Sequence, residues 1–225
     1  MMDEKSARLY AQLDQFKYLV SKTERFIAWS LRQVKNPYVA CSFGKDSSVM
    51  LHMILKHAPN IVVRFATHPE TNILDDYPGV IEWWVKNYSI KLQEIYCDGG
   101  LVKVKHHQRK MLNEGNWDAF FVGIRAQESF GRRVSLKTYS KYHQLANGRI
   151  KICPMAWWKE NDVSAYIFSK DLPLLGKYKF EGISARTSSG TPRTHIHETL
   201  QALKSRDLQK FNQLCDLFED AKYYV

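Results

Sequence analysis

The sequence predicts an α/β domain: a parallel sheet with helices on both faces and helical extensions at its two ends. Three observations predict it. Apolar and β-branched runs at Tyr38–Cys41, Ile61–Thr67 and Ala119–Ile124 are separated by stretches with helical apolar spacing. That is the βαβ rhythm of a Rossmann-like sheet with right-handed crossovers. The first run leads through Ser42-Phe43-Gly44-Lys45-Asp46-Ser47-Ser48 directly into a helix. The run 119–124 is almost wholly apolar, as a central parallel strand is.

At 225 residues, with 44% hydrophobic and 13% aromatic content, the chain can bury a full core and reads most simply as one domain. The expected segments are a helical extension over 1–36, the α/β domain over 37–175, and a basic loop with a C-terminal helix over 176–225. Leu9, Leu13, Phe16, Val20, Ile27, Leu31 and Val34 recur at spacings of three, four or seven, so residues 5–35 read as one long amphipathic helix or a broken pair. Asn36-Pro37 stops it.

Past the first strand, Gly44 suits a tight turn that lets an anion approach the backbone. Helix-start N–H groups and the macrodipole favour negative charge there. Lys45 adds a point charge, and Ser42, Ser47 and Ser48 add hydroxyls. An ordinary capped strand–turn–helix is the plain alternative. Walker A chemistry is excluded, since Asp46 stands where that motif needs Ser or Thr after its lysine. Ile61–Thr67 is the second strand, and Thr67-His68-Pro69-Glu70-Thr71 puts polar groups at its carboxyl end, the ligand-binding edge of open α/β sheets. A helix through Val80, Ile81, Trp84 and Val85 leads to a third strand at Lys91–Tyr96. Lys103, Lys105, His106, His107, Arg109 and Lys110 form a basic cluster expected on a helix.

After the fourth strand comes Gly123-x-Arg125-x-x-Glu128-Ser129-x-x-Arg132-Arg133. Gly123 permits close approach of a ligand, and Arg125, Arg132 and Arg133 can grip phosphate oxygens. Glu128 can orient those guanidinium groups or bind a ribose. Val134–Ile152 reads as strands around a hairpin turning at Asn147-Gly148. Residues 176–195 read equally as a basic lid or a solvent loop. A final helix runs from Ile196 to Phe218.

The net charge of +10 comes from one region: residues 100–195 hold 17 Lys/Arg against 7 Asp/Glu, and the remainder balances. Such a segment suits nucleotide phosphates, a nucleic acid, or a solubilising face. The four cysteines, Cys41, Cys97, Cys153 and Cys215, lie far apart without CxxC spacing, which argues against structural zinc or an iron–sulfur cluster. With no signal-like N-terminus and no membrane-length apolar run, a reduced cytoplasmic protein is expected.

The loop at 42–48, the motif at 123–133 and Cys153-Pro154 with Asp162-Val163 and Tyr166-Ile167 together resemble the PP-loop of the adenine nucleotide α-hydrolase superfamily. The version is that of phosphoadenylylsulfate (PAPS) reductases and their relatives. The resemblance covers most of residues 38–167 and implies a PP-loop (HUP-type) fold binding ATP with Mg²⁺. It implies that Lys45 and the loop (Ser42, Phe43, Gly44, Ser47, Ser48) hold phosphates, with Thr67, Gly123, Glu128, Arg132 and Arg133 also lining the nucleotide site. Asp46 would cap the helix or help hold Mg²⁺, and Arg125 would stabilise charge at the α-phosphate. The first expectation is ATP cleavage or adenylyl transfer at the α-phosphate, on a nucleic acid or a small metabolite. The second is PAPS reduction, for which the family uses a C-terminal cysteine in a Glu-Cys-Gly-Leu-His context; Cys215 lacks that context. A third is a non-catalytic nucleotide-binding subunit of a larger complex. A homo-oligomer also fits, and a membrane partner does not.

Overall fold

The computed structural model describes residues 2–67, 77–96, 114–176, 178, 196–217 and 219–224. The N-terminal periodicity resolves as a broken pair, α1 (Glu4–Tyr10) and α2 (Asp14–Arg32). Asp3 caps α1 by accepting from the Ser6 amide at 2.7 Å. Then follow β1 (Pro37–Ala40), α3 (Lys45–Leu55), β2 (Val62–Thr67), α4 (Tyr77–Tyr88), β3 (Lys91–Tyr96) and β4 (Ala119–Val122). A 3-10 turn at Ala126–Glu128 leads to α5 (Phe130–Tyr139), the hairpin β5 (Tyr142–Gln144) and β6 (Ile150–Ile152), and α6 (Glu160–Ser169). The chain closes with α7 (Ile196–Arg206), α8 (Leu208–Leu217) and a 3-10 turn at Glu219–Tyr224.

Among the described residues the strands form one sheet in the order β3-β2-β1-β4-β6-β5. All neighbours are parallel except the edge pair β5–β6. This is the α/β, Rossmann-like sheet that the βαβ rhythm predicts. The chain runs from β1 outward to β2 and β3, then crosses to β4 on the other flank of β1. The strand order therefore reverses between β1 and β4, where open α/β sheets form a crevice at their carboxyl edge.

One expectation on this stretch needs correction. Residues 134–139 are helical, and only 142–152 form the hairpin. The alternation Val134-Ser135-Leu136-Lys137 mimics a strand, but Ser129 caps a helix by accepting from the Arg132 amide at 3.2 Å, and Leu136 becomes that helix's buried contact. The basic cluster at 103–110 and nearly all of the basic loop at 176–195 lie outside the described residues.

The N-terminal helices share the main core: Phe16 and Ile27 of α2 pack in the same cluster as Val39 of β1 and Trp158. Trp158 Nε1 donates to Thr23 Oγ1 at 2.9 Å, and Tyr10 OH donates to Asp162 Oδ1 at 2.9 Å. Helix α3 is buried nearly all round, from Val49 to Leu55. Its one imidazole, His52, is satisfied on both nitrogens, by Tyr166 OH at 2.9 Å and Tyr88 OH at 2.8 Å.

Burial lowers the His52 pKa from 6.5 to about 4, with the nearby Lys56 and Lys170 charges adding to the shift. The folded state thus prefers neutral imidazole, while the unfolded chain takes up a proton below 6.5. The His52 contribution to stability is complete above that pH and is lost as pH falls toward 4. Thermal melting of the wild type should therefore drop more steeply between pH 6.5 and 4 than that of His52→Gln. Identical slopes would show that His52 does not carry this dependence.

Candidate functional site

The site is built where β1 and β4 end side by side, with Ala40 opposite Val122. The segment leaving β1 turns through Cys41–Gly44 into α3, and Gly44 is the N-cap with no side chain capping it. A helix start without a capping side chain leaves amide donors for an anion. The backbone turn departs from expectation. Gly44 is extended (φ −73°, ψ 164°), and the left-handed residue is Phe43, at φ 51°. A non-glycine residue accepts that conformation only where its surroundings compensate. The compensation is visible: the Phe43 ring is buried edge-on against Phe65, with centroids 5.2 Å apart.

The loop's hydroxyls tie it together. Ser47 Oγ donates to Gly44 O at 3.0 Å and accepts from the Ser42 amide at 3.3 Å, and the Ser42 and Ser47 hydroxyls lie 3.2 Å apart. Ser48 Oγ is buried and has no partner among the described residues, an open hydroxyl in the first turn. The Lys45 amide donates to Tyr178 OH at 3.1 Å. Tyr178 was not foreseen: it comes from over 130 residues away, and nothing in the local sequence signals it.

The cations are held by one carboxylate. Asp46 Oδ2 lies 3.1 Å from Lys45 Nζ, and Asp46 Oδ1 accepts from Arg125 Nε at 2.6 Å. Lys45 and Arg125 are both buried. Arg125 Nη1 also donates to Gln127 Oε1 at 3.2 Å and reaches Trp158 O at 3.5 Å. The guanidinium is thus gripped by three acceptors from three segments, which fits positioning rather than the direct α-phosphate contact expected of it. Both Asp46 oxygens already face a cation, so its carboxylate does not fit the expected Mg²⁺ ligand role. Among the described residues no cluster of three His, Cys, Asp or Glu could hold a metal.

Glu128 does orient the motif: its Oε2 accepts from the Arg125 amide at 2.7 Å, and its Oε1 pairs with Arg132. Arg132 and Arg133 stand exposed on the first turn of α5, outside the buried network. Thr67 ends β2 at the same sheet edge. Gly123 serves a different purpose from the ligand approach expected of it. A Cβ there would lie 3.0 Å from the Ser47 amide nitrogen and 3.1 Å from Asp46 C and Ser47 Cα. The missing side chain lets the β4 exit press against the first turn of α3. Gly123→Ala should therefore push that turn outward, costing about 1–3 kcal/mol together with ligand affinity. Unchanged melting and unchanged nucleotide titration in this variant would refute the close-contact role.

Known proteins supply the context for this geometry. A family model described as the phosphoadenosine phosphosulfate reductase domain matches residues 81–181. A phosphoadenosine 5′-phosphosulfate reductase of Xylella fastidiosa is 30% identical over 175 residues, covering 67% of this chain and 70% of the relative. The chain belongs to the PAPS reductase family. A relative of the same description from Photobacterium profundum is 29% identical over 177 residues, covering 68% of this chain and 67% of its own. Among solved structures, FMN adenylyltransferase of Candida glabrata, in complex with FAD and inorganic pyrophosphate, superposes with a TM-score of 0.60. It is 16% identical and covers 79% of this chain and 67% of its own, a likeness of fold. The matched members of this family are enzymes, and the solved neighbours share the α/β fold of this chain. Their reductase names fit the reading placed second on the sequence better than the one placed first.

The thiols bear on that choice. Cys41, Cys153 and Cys215 are all free and buried. Burial raises the Cys41 and Cys153 thiols to about 11, far from the thiolate a nucleophile needs. Cys97 lies outside the described residues. None of the described helices is long and apolar enough to cross a membrane.

Proposed function

We propose that this family member binds an adenine nucleotide with its phosphates over the loop 42–48 and acts at the α-phosphorus. The observation that carries this is the buried Lys45–Asp46–Arg125 chain at the uncapped start of α3, in the crevice where the strand order reverses. A positive charge set in advance beside helix-start amides stabilises phosphate charge as it develops. Lys45 and the loop amides take phosphate oxygens. Arg125 acts through Asp46, holding Lys45 in place. With ATP, a nucleophile bonds to the α-phosphorus, the α–β anhydride opens, and its electron pair leaves with pyrophosphate. Any Mg²⁺ in this reading travels with the nucleotide rather than with Asp46. The acceptor is a nucleic acid or a small metabolite.

PAPS reduction is the second reading, supported by what the curated relatives are called. It places the same loop under an adenosine 5′-phosphosulfate and moves the chemistry to sulfur. The burial of Cys41, Cys153 and Cys215 speaks against each of them as its nucleophile.

Calorimetric titration with ATP and with PAPS, each with Mg²⁺ and followed by chromatography of the products, separates the readings. ATP binding with AMP and pyrophosphate released supports α-phosphate chemistry. PAPS binding with ATP excluded, and sulfite formed when a dithiol is supplied, replaces it with the reductase reading. Binding without turnover of either nucleotide leaves the chain a nucleotide-binding subunit and overturns both.

A further inference from the structure

Beside the candidate site lies a groove of ≈ 520 Å³ between α2 and the end of α5, lined by Lys22, Thr23, Lys137, Lys141 and Trp157 among others. The nucleotide reading does not use it, although Pro154 of the third family motif lies in its wall. Its charge is of one sign: none of its lining residues is acidic, and none of its three lysines has an ion pair among the described residues. Lys141 Nζ sits over the Phe26 ring, 3.7 Å from its centroid. Burial and the neighbouring Lys22 charge both lower the Lys141 pKa, so the pair repels and an anion between them would relieve it.

The rim is aromatic and basic. Trp157, in the groove wall, is 52% exposed; Phe130, at the far head of α5 and outside the lining, is 80% exposed. Helical spacing puts Phe130, Arg133, Val134 and Lys137 on one stripe of α5. Exposed flat rings interleaved with unpaired cations match a strand of phosphates carrying unpaired bases. The rings stack on bases and the lysines track the backbone. A duplex would hide those base faces, and an acidic protein would leave the rings unused.

We propose that this groove binds single-stranded nucleic acid, with phosphates on Lys22, Lys137 and Lys141 and a base stacked on Trp157. The groove adjoins the candidate site: Trp158, the next residue, supplies the carbonyl that Arg125 Nη1 reaches. A strand held there lies beside the phosphate loop. The binding itself does not depend on which nucleotide reaction the loop performs.

Fluorescence anisotropy of a labelled oligothymidylate, titrated with the purified chain at several salt concentrations, tests this. Engaging three lysines predicts a log–log salt slope near about −2 for single strands. Lys22→Glu with Lys137→Glu should weaken binding at least tenfold, and the pair of Gln substitutions should flatten the slope by about 1.4. Trp157→Ala should cost roughly tenfold through lost stacking. Lys86→Glu, at an exposed position of α4 outside the groove lining, should change little. ATP titration of the same variants should match the wild type, so that failure of the nucleotide reading stays separate from failure here. The proposal is overturned if the wild type does not bind the oligonucleotide at about 50 mM salt. It is equally overturned if the lysine variants bind as the wild type does, or if duplex binds more tightly with no effect of Trp157→Ala.

Discussion

Lys45→Ala is expected to weaken ATP binding by roughly 10- to 150-fold, the equivalent of the about 1.5–3 kcal/mol carried by hydrogen bonds to a charged group. The argument rests on place. Lys45 is the first residue of α3, its amide faces Tyr178 OH, and its ammonium is held 3.1 Å from Asp46. A phosphate at the helix start meets that ammonium without the chain having to reorganise, which is the condition under which a charge is worth most. The fold should survive, because Asp46 keeps its shorter contact to Arg125, at 2.6 Å. Calorimetric titration with ATP reads the affinity, and melting in the absence of ligand checks the fold. Affinity within twofold of the wild type would remove Lys45 from the site.

Arg125→Ala is expected to act the other way round, destabilising the protein before it touches chemistry. Both its guanidinium and the Asp46 carboxylate are largely buried, with side-chain exposures of 4% and 15%. Removing one partner of a buried pair costs about 3–5 kcal/mol. For a domain of this size that is a fall in melting temperature of roughly 6–20 °C. Gln127 and the Trp158 carbonyl lose a donor in the same step. Arg125→Lys should recover only part of the loss, since an ammonium cannot reproduce the planar fork that meets three segments together. A double variant with Asp46→Ala should be less unstable than the sum of the single ones, because the orphaned carboxylate is then gone. Strict additivity would mean that the pair is not a coupled unit.

Most of the site could be read from spacing, because the loop and the Gly123–Arg133 motif each follow an apolar run that ends at the sheet's carboxyl edge. Lys45, Asp46, Arg125 and Glu128 do come together there. What spacing could not reveal was which partner each group would meet. Gly123 faces backbone instead of a ligand, Asp46 faces two cations, and the left-handed residue of the turn is Phe43 rather than Gly44. Arg132 and Arg133 share a motif with Arg125 but fall on an exposed helical turn, since Ser129 caps α5 three residues before Arg132. Tyr178 carried no local signal, because its contact with Lys45 spans 133 residues.

The sequence by itself determined the α/β class, the strands β1 to β4, the position of the loop 42–48 and the family, because these follow from short-range periodicity and a few residues in fixed order. The tertiary structure alone decided the roles. It set the order β3-β2-β1-β4 that puts two strand exits side by side, buried the thiols of Cys41, Cys153 and Cys215, and gathered Lys22, Lys137, Lys141 and Trp157 around one groove. Burial and charge pairing depend on residues brought close by packing, so no window along the chain contains them.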